Sequence, residues 1–167
     1  MRLSAAAYLI LSLVDEIGQA TAYDLKVAVR SGAGHAWPLP HTQVYETCRA
    51  LAARRLLDER LEEHGRRRRF FSLSSSGCAV LAHWRSTPTT DDVAIHDPGL
   101  LQLYCRVPLR DLAPVRAAVH RRRLAVVRAQ QNRIPPLTCQ HLAMALTAAA
   151  KREQLSISFW EEAERED

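Results

Sequence analysis

The chain has 167 residues, of which 47% are hydrophobic and 25% charged, a balance typical of a globular protein with one ordinary domain or two small ones. Its amino-terminal apolar stretch, Ala5 to Val14, is too short to cross a bilayer. The net charge is +5, and arginine supplies 21 of the 23 basic residues because Lys26 and Lys151 are the only lysines. Arginine suits bidentate contacts to phosphate and guanine, so this charge favours a nucleic acid partner over an idle basic surface.

Two helices are predicted at the amino terminus, each opened by a hydroxyl side chain. Ser4 can cap a helix that runs to about Glu16 and is apolar almost all round, which indicates burial against several neighbours. A signal peptide is the alternative for this stretch, and the acidic residues that follow at once disfavour it. Thr21 then offers an N-cap, with Asp24 three residues on, for a second helix that ends near Arg30.

The connector after the second helix covers residues 31–40 and is longer than the tight turn of a simple helix-turn-helix. We interpret Trp37, which lies in it, as a packing anchor, with a ligand-stacking role as the alternative.

A third helix, predicted from Leu39 to Arg55, should present a polar outer face. Val44, Cys48 and Leu51 recur at helical spacing and should face inward. The opposite side offers hydroxyl, carboxamide, phenol and guanidinium groups, which are the groups that contact base edges and phosphates. The candidate DNA-binding residues of this helix are His41, Thr42, Gln43, Tyr45 and Arg49.

A basic hairpin is predicted to follow this helix. Residues 59–63 give its first strand, His64 and Gly65 its turn, and Arg66 to Leu73 its second strand. Beside a helix-turn-helix, such a β-arm is a wing that lies along the phosphate backbone. Side chains alternate along a strand, so about two of the wing arginines should face DNA. The candidates are Arg66, Arg67, Arg68 and Arg69.

A domain boundary is predicted after the fourth helix. Ser74 to Gly77 opens this helix, which continues through Trp84, and the turn-rich polar residues 86–92 follow it. We therefore expect a winged helix-turn-helix DNA-binding domain over residues 1–86 and a helical dimerisation domain over residues 92–167.

The second domain is predicted to contain two long helices of opposite charge. Asp97 precedes a short helix, and residues 111–133 form a longer one with six arginines and one acid. Residues 151–167 hold six acids within a last helix predicted from Pro136 to Glu164. Opposite charge on successive helices predicts that they pack antiparallel.

The last helix carries two apolar faces, and each needs a partner. One face can pack on its own chain, while the other should meet a second subunit. The alternative is that both faces are buried within one monomer. The candidate dimerisation residues are Leu142, Leu146, Leu155, Phe159 and Trp160.

No pattern in the sequence indicates catalysis, a metal site or a cofactor. The serines from Ser74 to Ser76 lack a Gly-x-Ser-x-Gly elbow, and no glycine loop is long enough to cradle phosphates. The histidines lack ligand spacing, and the cysteines lack a CxxC pair. We predict reduced, mostly buried thiols in a cytoplasmic protein, with a redox sensor as the alternative. The residues weighed were His83, His96, His120, His141, Cys48, Cys78, Cys105 and Cys139.

Four separate pieces of sequence resemble the PadR family of winged-helix transcriptional regulators. They are Tyr8 to Leu11, Ala22 to Leu25, Leu39 to Tyr45, and Arg66 to Gly77. The resemblance covers residues 5–84 well and the carboxy-terminal half in architecture. It implies a mostly α protein, a winged helix-turn-helix with a C-terminal helical dimerisation domain. Such a protein binds an inverted repeat of double-stranded DNA as a homodimer, most often to repress transcription.

The resemblance carries further expectations. Tyr45 would lie in the recognition helix, and Arg55 stands where the family usually has glycine, so this helix should not end in a left-handed residue. The family also suggests a small apolar or aromatic effector that releases DNA. Its possible lining is Trp37, Tyr104, Phe159 and Trp160.

The rival interpretation is a winged-helix module that binds a protein partner and no DNA. Glu46, on the outer face of the third helix, argues for this rival because a carboxylate repels phosphate. Arg49 and the wing arginines argue for DNA.

Overall fold

The computed structural model describes residues 3–31, 37–62, 67–91, 96–133 and 140–165, and the chain divides into two compact units, Met1–Thr90 and Asp91–Asp167. The described residues are mostly helical with one small antiparallel sheet, which confirms the predicted mostly α winged-helix fold class. No helix within these ranges is long and apolar enough to cross a membrane. No group of three or more His, Cys, Asp or Glu side chains within them is arranged to hold a metal ion.

The first unit contains helices and strands in the order expected of a winged helix. They are α1 (Ala5–Ile17), β1 (Ala20–Thr21), α2 (Ala22–Ser31), α3 (His41–Ala53), β2 (Leu57–Leu61), β3 (Arg69–Leu73) and α4 (Ser75–Ser86).

Hydroxyl side chains cap α1 and α2 as predicted. Ser4 Oγ accepts a hydrogen bond from the backbone N–H of Ala7 at 3.3 Å. The Asp24 carboxylate accepts bonds from the Thr21 N–H at 2.9 Å and the Thr21 hydroxyl at 2.7 Å, and the Asp24 N–H donates to Thr21 Oγ1 at 3.2 Å. The hydrogen bonds from Thr21 hold the pKa of the Asp24 carboxyl below its usual range. The stability that these bonds contribute is therefore fully present at a pH above the usual pKa, and it is lost as the pH falls through the lowered pKa.

Among the described residues, three strands form one antiparallel sheet in the order β1, β3, β2. Leu61 pairs with Arg69 and Glu59 with Phe71, so β2 and β3 form the predicted hairpin. On its other side Phe71 pairs with Ala20 of β1, a strand that was not predicted because two residues are too short to show alternation. Strand β1 joins the base of the wing to the start of α2.

The core of this unit lies between α1, α3 and the sheet. Large side chains from each element are fully buried in it, among them Ile10, Leu11, Val44, Leu51 and Phe71. Packing of this density makes the core sensitive to the loss of a single methylene group. It holds α3 rigidly by its apolar face.

Two predictions about burial are wrong. Trp37 is 52% exposed and so is not a packing anchor, whereas Trp84 stacks on Tyr8 at 4.7 Å. Cys48 is buried, and burial raises the pKa of its thiol to about 12, but Cys78 and Cys105 are exposed. Cys139 lies outside the described residues.

Helix α3 ends in a left-handed turn, contrary to the prediction. Arg55 has a φ of 56°, and its N–H donates to the Ala52 carbonyl at 2.9 Å. The next N–H, of Leu56, donates to the Leu51 carbonyl, also at 2.9 Å. These two bonds are those of a Schellman motif, which satisfies the last carbonyls of a helix and usually employs glycine at the left-handed position. The motif is therefore present with arginine in that position.

The start of α4 holds this turn in place. Ser74 Oγ donates to the Arg55 carbonyl at 2.7 Å and accepts from the Gly77 N–H at 3.0 Å. The Ser74 N–H donates to the Leu56 carbonyl at 3.3 Å. A Cβ on Gly77 would lie 2.1 Å from that same carbonyl oxygen, so only glycine fits there. The predicted cap of α4 thus also fixes the junction between α3 and β2.

The second unit contains α5 (Pro98–Tyr104), α6 (Leu109–Gln131) and α7 (Gln140–Arg165). Arg121, in the middle of α6, donates to Glu161 near the end of α7 at 2.6 Å. Gln131, the last residue of α6, donates to Thr147 in the first half of α7 at 3.3 Å, so the two helices run in opposite directions. This confirms the predicted antiparallel pairing. The predicted helix start at Pro136 lies outside the described residues.

A buried polar network crosses the second unit, and the sequence did not reveal it. The buried Glu153 carboxylate lies 2.6 Å from His120 Nδ1 and 3.0 Å from Arg123 Nε. On the other side of the imidazole, Nε2 lies 3.4 Å from Arg116, which donates to Asp97 at 2.7 Å. His120 is therefore buried, with polar partners at both ring nitrogens.

Replacing Ser74 by alanine should lower the free energy of unfolding by about 1–2 kcal/mol, because it removes the cap of α4 and the bond to the Arg55 carbonyl together. Ser76→Ala is the matched control, since Ser76 is exposed in the same helical turn and should change stability by less than about 0.5 kcal/mol. Urea denaturation measures both. Equal losses in the two variants would show that Ser74 does not fix the junction.

Candidate nucleic-acid interface

Helix α3 presents the polar face that its spacing predicts. Val44, Cys48 and Leu51 are buried on one side. The opposite side is open to solvent, and its exposed residues include His41, Thr42, Gln43, Tyr45, Glu46 and Arg49. Because the buried side is fixed in the core, the outer side chains start from a rigid backbone, which is what the reading of base edges requires.

The wing arginines do not follow the predicted alternation. Arg67, Arg68 and Arg69 are exposed, and Arg66 lies outside the described residues. Arg67 has a φ of 51° in the left-handed region, so the chain there is not an extended strand. Arg67, Arg68 and Arg69 therefore cannot be sorted into DNA-facing and outward-facing arginines by a period of two.

Two of the wing arginines pair with carboxylates that lie in β2 or directly after it, across the hairpin from β3. Arg69 Nη1 lies 2.5 Å from Glu59 Oε1, and Arg68 Nε lies 3.6 Å from Glu62 Oε2. Among the described residues, Arg67 has no carboxylate partner. Exposed pairs of this kind contribute little to stability, so Arg68 and Arg69 can exchange a glutamate for a phosphate at small cost.

Helix α3, the wing and the start of α2 converge on one depression of about 320 Å³, which we call the reading groove. Its lining combines four guanidinium groups with two phenols, a composition suited to phosphates and bases. Its residues are Thr21, Ala22, Tyr23, Tyr45, Arg49, Arg67, Arg68, Arg69 and Phe71.

Sequence reasoning missed the contribution of α2 to the reading groove. Tyr23 is 59% exposed, and the Lys26 ammonium lies 4.7 Å from the centre of its ring. The available signal was the capping box, because a residue two positions after the N-cap Thr21 lies in the exposed first turn. The connector before Trp37 lies outside the described residues.

The candidate dimerisation residues separate into two groups. Leu146 and Trp160 are each 1% exposed and are buried within their own unit, Leu146 beside Val127 and Trp160 beside Ala117. Leu142 is partly buried against the same cluster as Leu146. Residues of α6 therefore cover Leu146 and Trp160 within their own unit, and the dimerisation role of the candidate residues stays a prediction. Leu155 and Phe159 are 72% and 41% exposed.

The arrangement as a whole defines a winged-helix protein with a basic reading groove. No family model matches the sequence, and no curated protein matches it. Solved structures do match. Bacillus subtilis PadR in complex with operator DNA has a TM-score of 0.84 at 19% identity, over 100% of this chain and 99% of its own.

Two further structures show the same similarity. Bacillus subtilis PadR in complex with p-coumaric acid has a TM-score of 0.75 at 20% identity, over 95% of this chain and 96% of its own. The Vibrio cholerae virulence activator AphA has a TM-score of 0.74 at 20% identity, over 97% of both chains. The fold is that of the PadR-like transcriptional regulators, as the four sequence motifs predicted.

Proposed function

We propose that this protein is a PadR-like transcriptional regulator that binds double-stranded DNA and carries no enzymatic activity. The observation that carries this proposal is the reading groove, in which the outer face of α3 and the arginines of the wing meet. Bacillus subtilis PadR, which has this fold, has been crystallised in complex with operator DNA, and this supports double-stranded DNA as the partner here.

In this mechanism α3 enters the major groove and the wing follows the phosphate backbone. Gln43 and Arg49 supply base contacts, and Arg67 supplies a phosphate contact. Two protomers related by a twofold axis would place their helices on half-sites about one helical turn, or a multiple of it, apart. The operator would then be an inverted repeat, and occupancy would repress transcription by excluding polymerase. AphA is an activator of the same fold, so activation is the other sign to test.

The rival function is a winged-helix module for a protein partner, favoured by the exposed Glu46. The two are distinguished by titrating the protein with a labelled duplex from the region upstream of its own gene and with a scrambled duplex of equal composition. A regulator binds both at low salt and discriminates between them as salt rises, because counterion release dominates non-specific binding. Failure to bind either duplex at low salt would favour the rival.

Variants of the wing should lose affinity for all DNA, whereas variants of α3 should lose discrimination between sequences. Arg67→Ala should weaken binding to operator and scrambled DNA alike. The fall of log K with log salt should become less steep by about one unit for each protomer bound. Gln43→Ala should instead lose about 1–3 kcal/mol of discrimination at one operator position with little change in slope. Each variant is titrated against both duplexes across a salt series.

The control for this comparison is Arg85→Gln. It removes one positive charge from the same unit, at a side chain that pairs with Asp15 at 2.7 Å and does not line the reading groove. The control should leave the salt slope unchanged. If Arg67→Ala loses only discrimination while Gln43→Ala weakens all binding equally, the roles of wing and helix are reversed.

We also propose that the protein acts as a homodimer through the outer face of α7. Met144, Leu155 and Phe159 are 64%, 72% and 41% exposed, and with Ala148 they lie on one stripe. Within the second unit α7 leaves this stripe uncovered, which favours a second subunit over burial of both faces in one monomer. Exposed apolar side chains on a helix whose other face is already covered support a second subunit as the partner.

A negative charge in this stripe should dissociate the dimer. Met144→Glu with Leu155→Glu should sediment at about the chain mass of 18.8 kDa at micromolar concentration, whereas the unaltered chain should sediment at twice that mass. Ala143→Glu is the control, because Ala143 is exposed on α7 outside the stripe. An unaltered chain that sediments as a monomer would refute the dimer.

We finally propose that a small apolar or aromatic effector releases the DNA. The structure of Bacillus subtilis PadR in complex with p-coumaric acid supports this class of ligand. Exposed rings that could contact it are Trp37 in the first unit and, separately, Tyr104 and Phe159 in the second. Trp160, also predicted as lining, is buried and offers no exposed ring. The effector must bind the released form of the protein more tightly than the DNA-bound form, because equal affinity shifts nothing.

Adding phenolic acids to the protein–DNA complex tests the effector. An active compound should quench tryptophan fluorescence and lower DNA affinity over the same concentration range. Benzoate analogues without the ring hydroxyl serve as the comparison. A broad phenolic and apolar set that changes neither signal would refute the proposal.

A further inference from the structure

Arg55 stands in a conformation that its side chain disfavours. Its φ of 56° lies in the left-handed region, where a Cβ crowds the backbone and glycine is the usual residue. The backbone of the turn gains nothing from arginine, because the two Schellman hydrogen bonds are made by main-chain atoms. A strained residue that persists in a well-fixed turn points to a use for its side chain.

The surroundings fix where that side chain begins. Ser74 holds the Arg55 carbonyl at 2.7 Å, and close packing of Gly77 on the Leu56 carbonyl leaves the turn no room to shift. The Arg55 side chain itself is exposed. It therefore extends into solvent from a rigid anchor at the junction between α3 and the wing.

Arg55 lines a second depression, of about 530 Å³, which we call the junction groove. Arg49 and Arg69 line both this groove and the reading groove, so the two depressions adjoin along these arginines. The lining residues of the junction groove are Arg49, Ala52, Ala53, Arg55, Leu57, Asp58, Glu59 and Arg69.

The charges in the junction groove are unequally satisfied. Glu59 is occupied by Arg69 at 2.5 Å. Within the part of the chain that the structure describes, neither Arg49 nor Arg55 has a carboxylate partner. Asp58 opposes an anion here, so a phosphate in this groove would depend on the Arg55 guanidinium, since Arg49 is assigned to a base contact.

We propose that the junction groove binds a backbone phosphate of DNA, with Arg55 as a contact residue beyond the helix face and the wing. This inference rests on the proposed function, since it extends the same interface toward the end of α3. The strain at Arg55 is then the cost of placing a cation where the turn alone would take glycine. A phosphate contact reads no sequence, so Arg55 should add equal affinity for every duplex.

The test compares Arg55→Gly, Arg55→Lys and the control Arg85→Gln on a fluorescein-labelled duplex of mixed sequence, titrated across a KCl series. Arg55→Gly should lower affinity roughly 5- to 10-fold per protomer at about 0.1 M salt. The fall of log K with log salt should become less steep by about one unit per protomer. Its melting temperature should rise by about 2–4 °C, because glycine relieves the left-handed strain. Arg55→Lys and Arg85→Gln should keep the slope of the unaltered chain.

Arg55→Gly with unaltered affinity and slope would overturn the inference while the unaltered chain's binding still supported the proposed function. A fall in melting temperature together with weaker binding in both Arg55 variants would also overturn it, because the residue would then serve the turn and not the phosphate. If the unaltered chain shows no salt-dependent binding, the proposed function fails, and this inference fails with it.

Discussion

The junction between α3 and β2 is the constraint on which the first unit depends. Helix α3 and the wing are separate elements, and their relative placement is set by one turn that contains Arg55 and Leu56. Main-chain bonds close the turn, and Ser74 and the close approach of Gly77 clamp it from the start of α4. The base contacts proposed for α3 and the phosphate contacts proposed for the wing can be made together only if this angle is fixed. The clamp is therefore as much a part of the proposed interface as the exposed side chains.

The balance of charge on the interface is finer than a count of arginines suggests. Arg68 and Arg69 are neutralised by Glu62 and Glu59 at exposed positions, whereas Arg67 has no described carboxylate partner. These two ion pairs reduce the mutual repulsion of the wing arginines. They also order two long side chains before any phosphate binds. The cost is that a phosphate must displace a glutamate. Such exchange costs little in high dielectric, which favours rapid, salt-sensitive association.

The sequence predicted those features of the fold that depend on local pattern. Capping by Ser4 and Thr21, the inward face of α3 and the hairpin all follow from residues within a few positions of one another. What it missed depends on distant contacts. Strand β1 exists because Phe71 pairs with it, and Arg55 is left-handed because α4 holds the turn. No periodicity records either contact.

The same distinction applies to the site. The outer face of α3 could be read from spacing, because burial on one side of a helix determines exposure on the other. The contribution of Tyr23 to the reading groove could not be read from spacing, since it depends on where α2 begins relative to the wing. Trp37 is 52% exposed, because the size of an aromatic ring does not by itself determine whether it packs in a core.

In the second unit, the two faces of α7 have separate energetic roles. The inner face buries Trp160 and Leu146 against α6, and the Glu153–His120 pair lies between them on the same face. A buried pair of this kind contributes little net stability, but a shifted register would leave its carboxylate unpaired, which disfavours any other alignment of the helices. The α6–α7 pair is thus specified within one chain. The exposed stripe through Leu155 takes no part in this pairing, so it stays available for the second subunit that we propose.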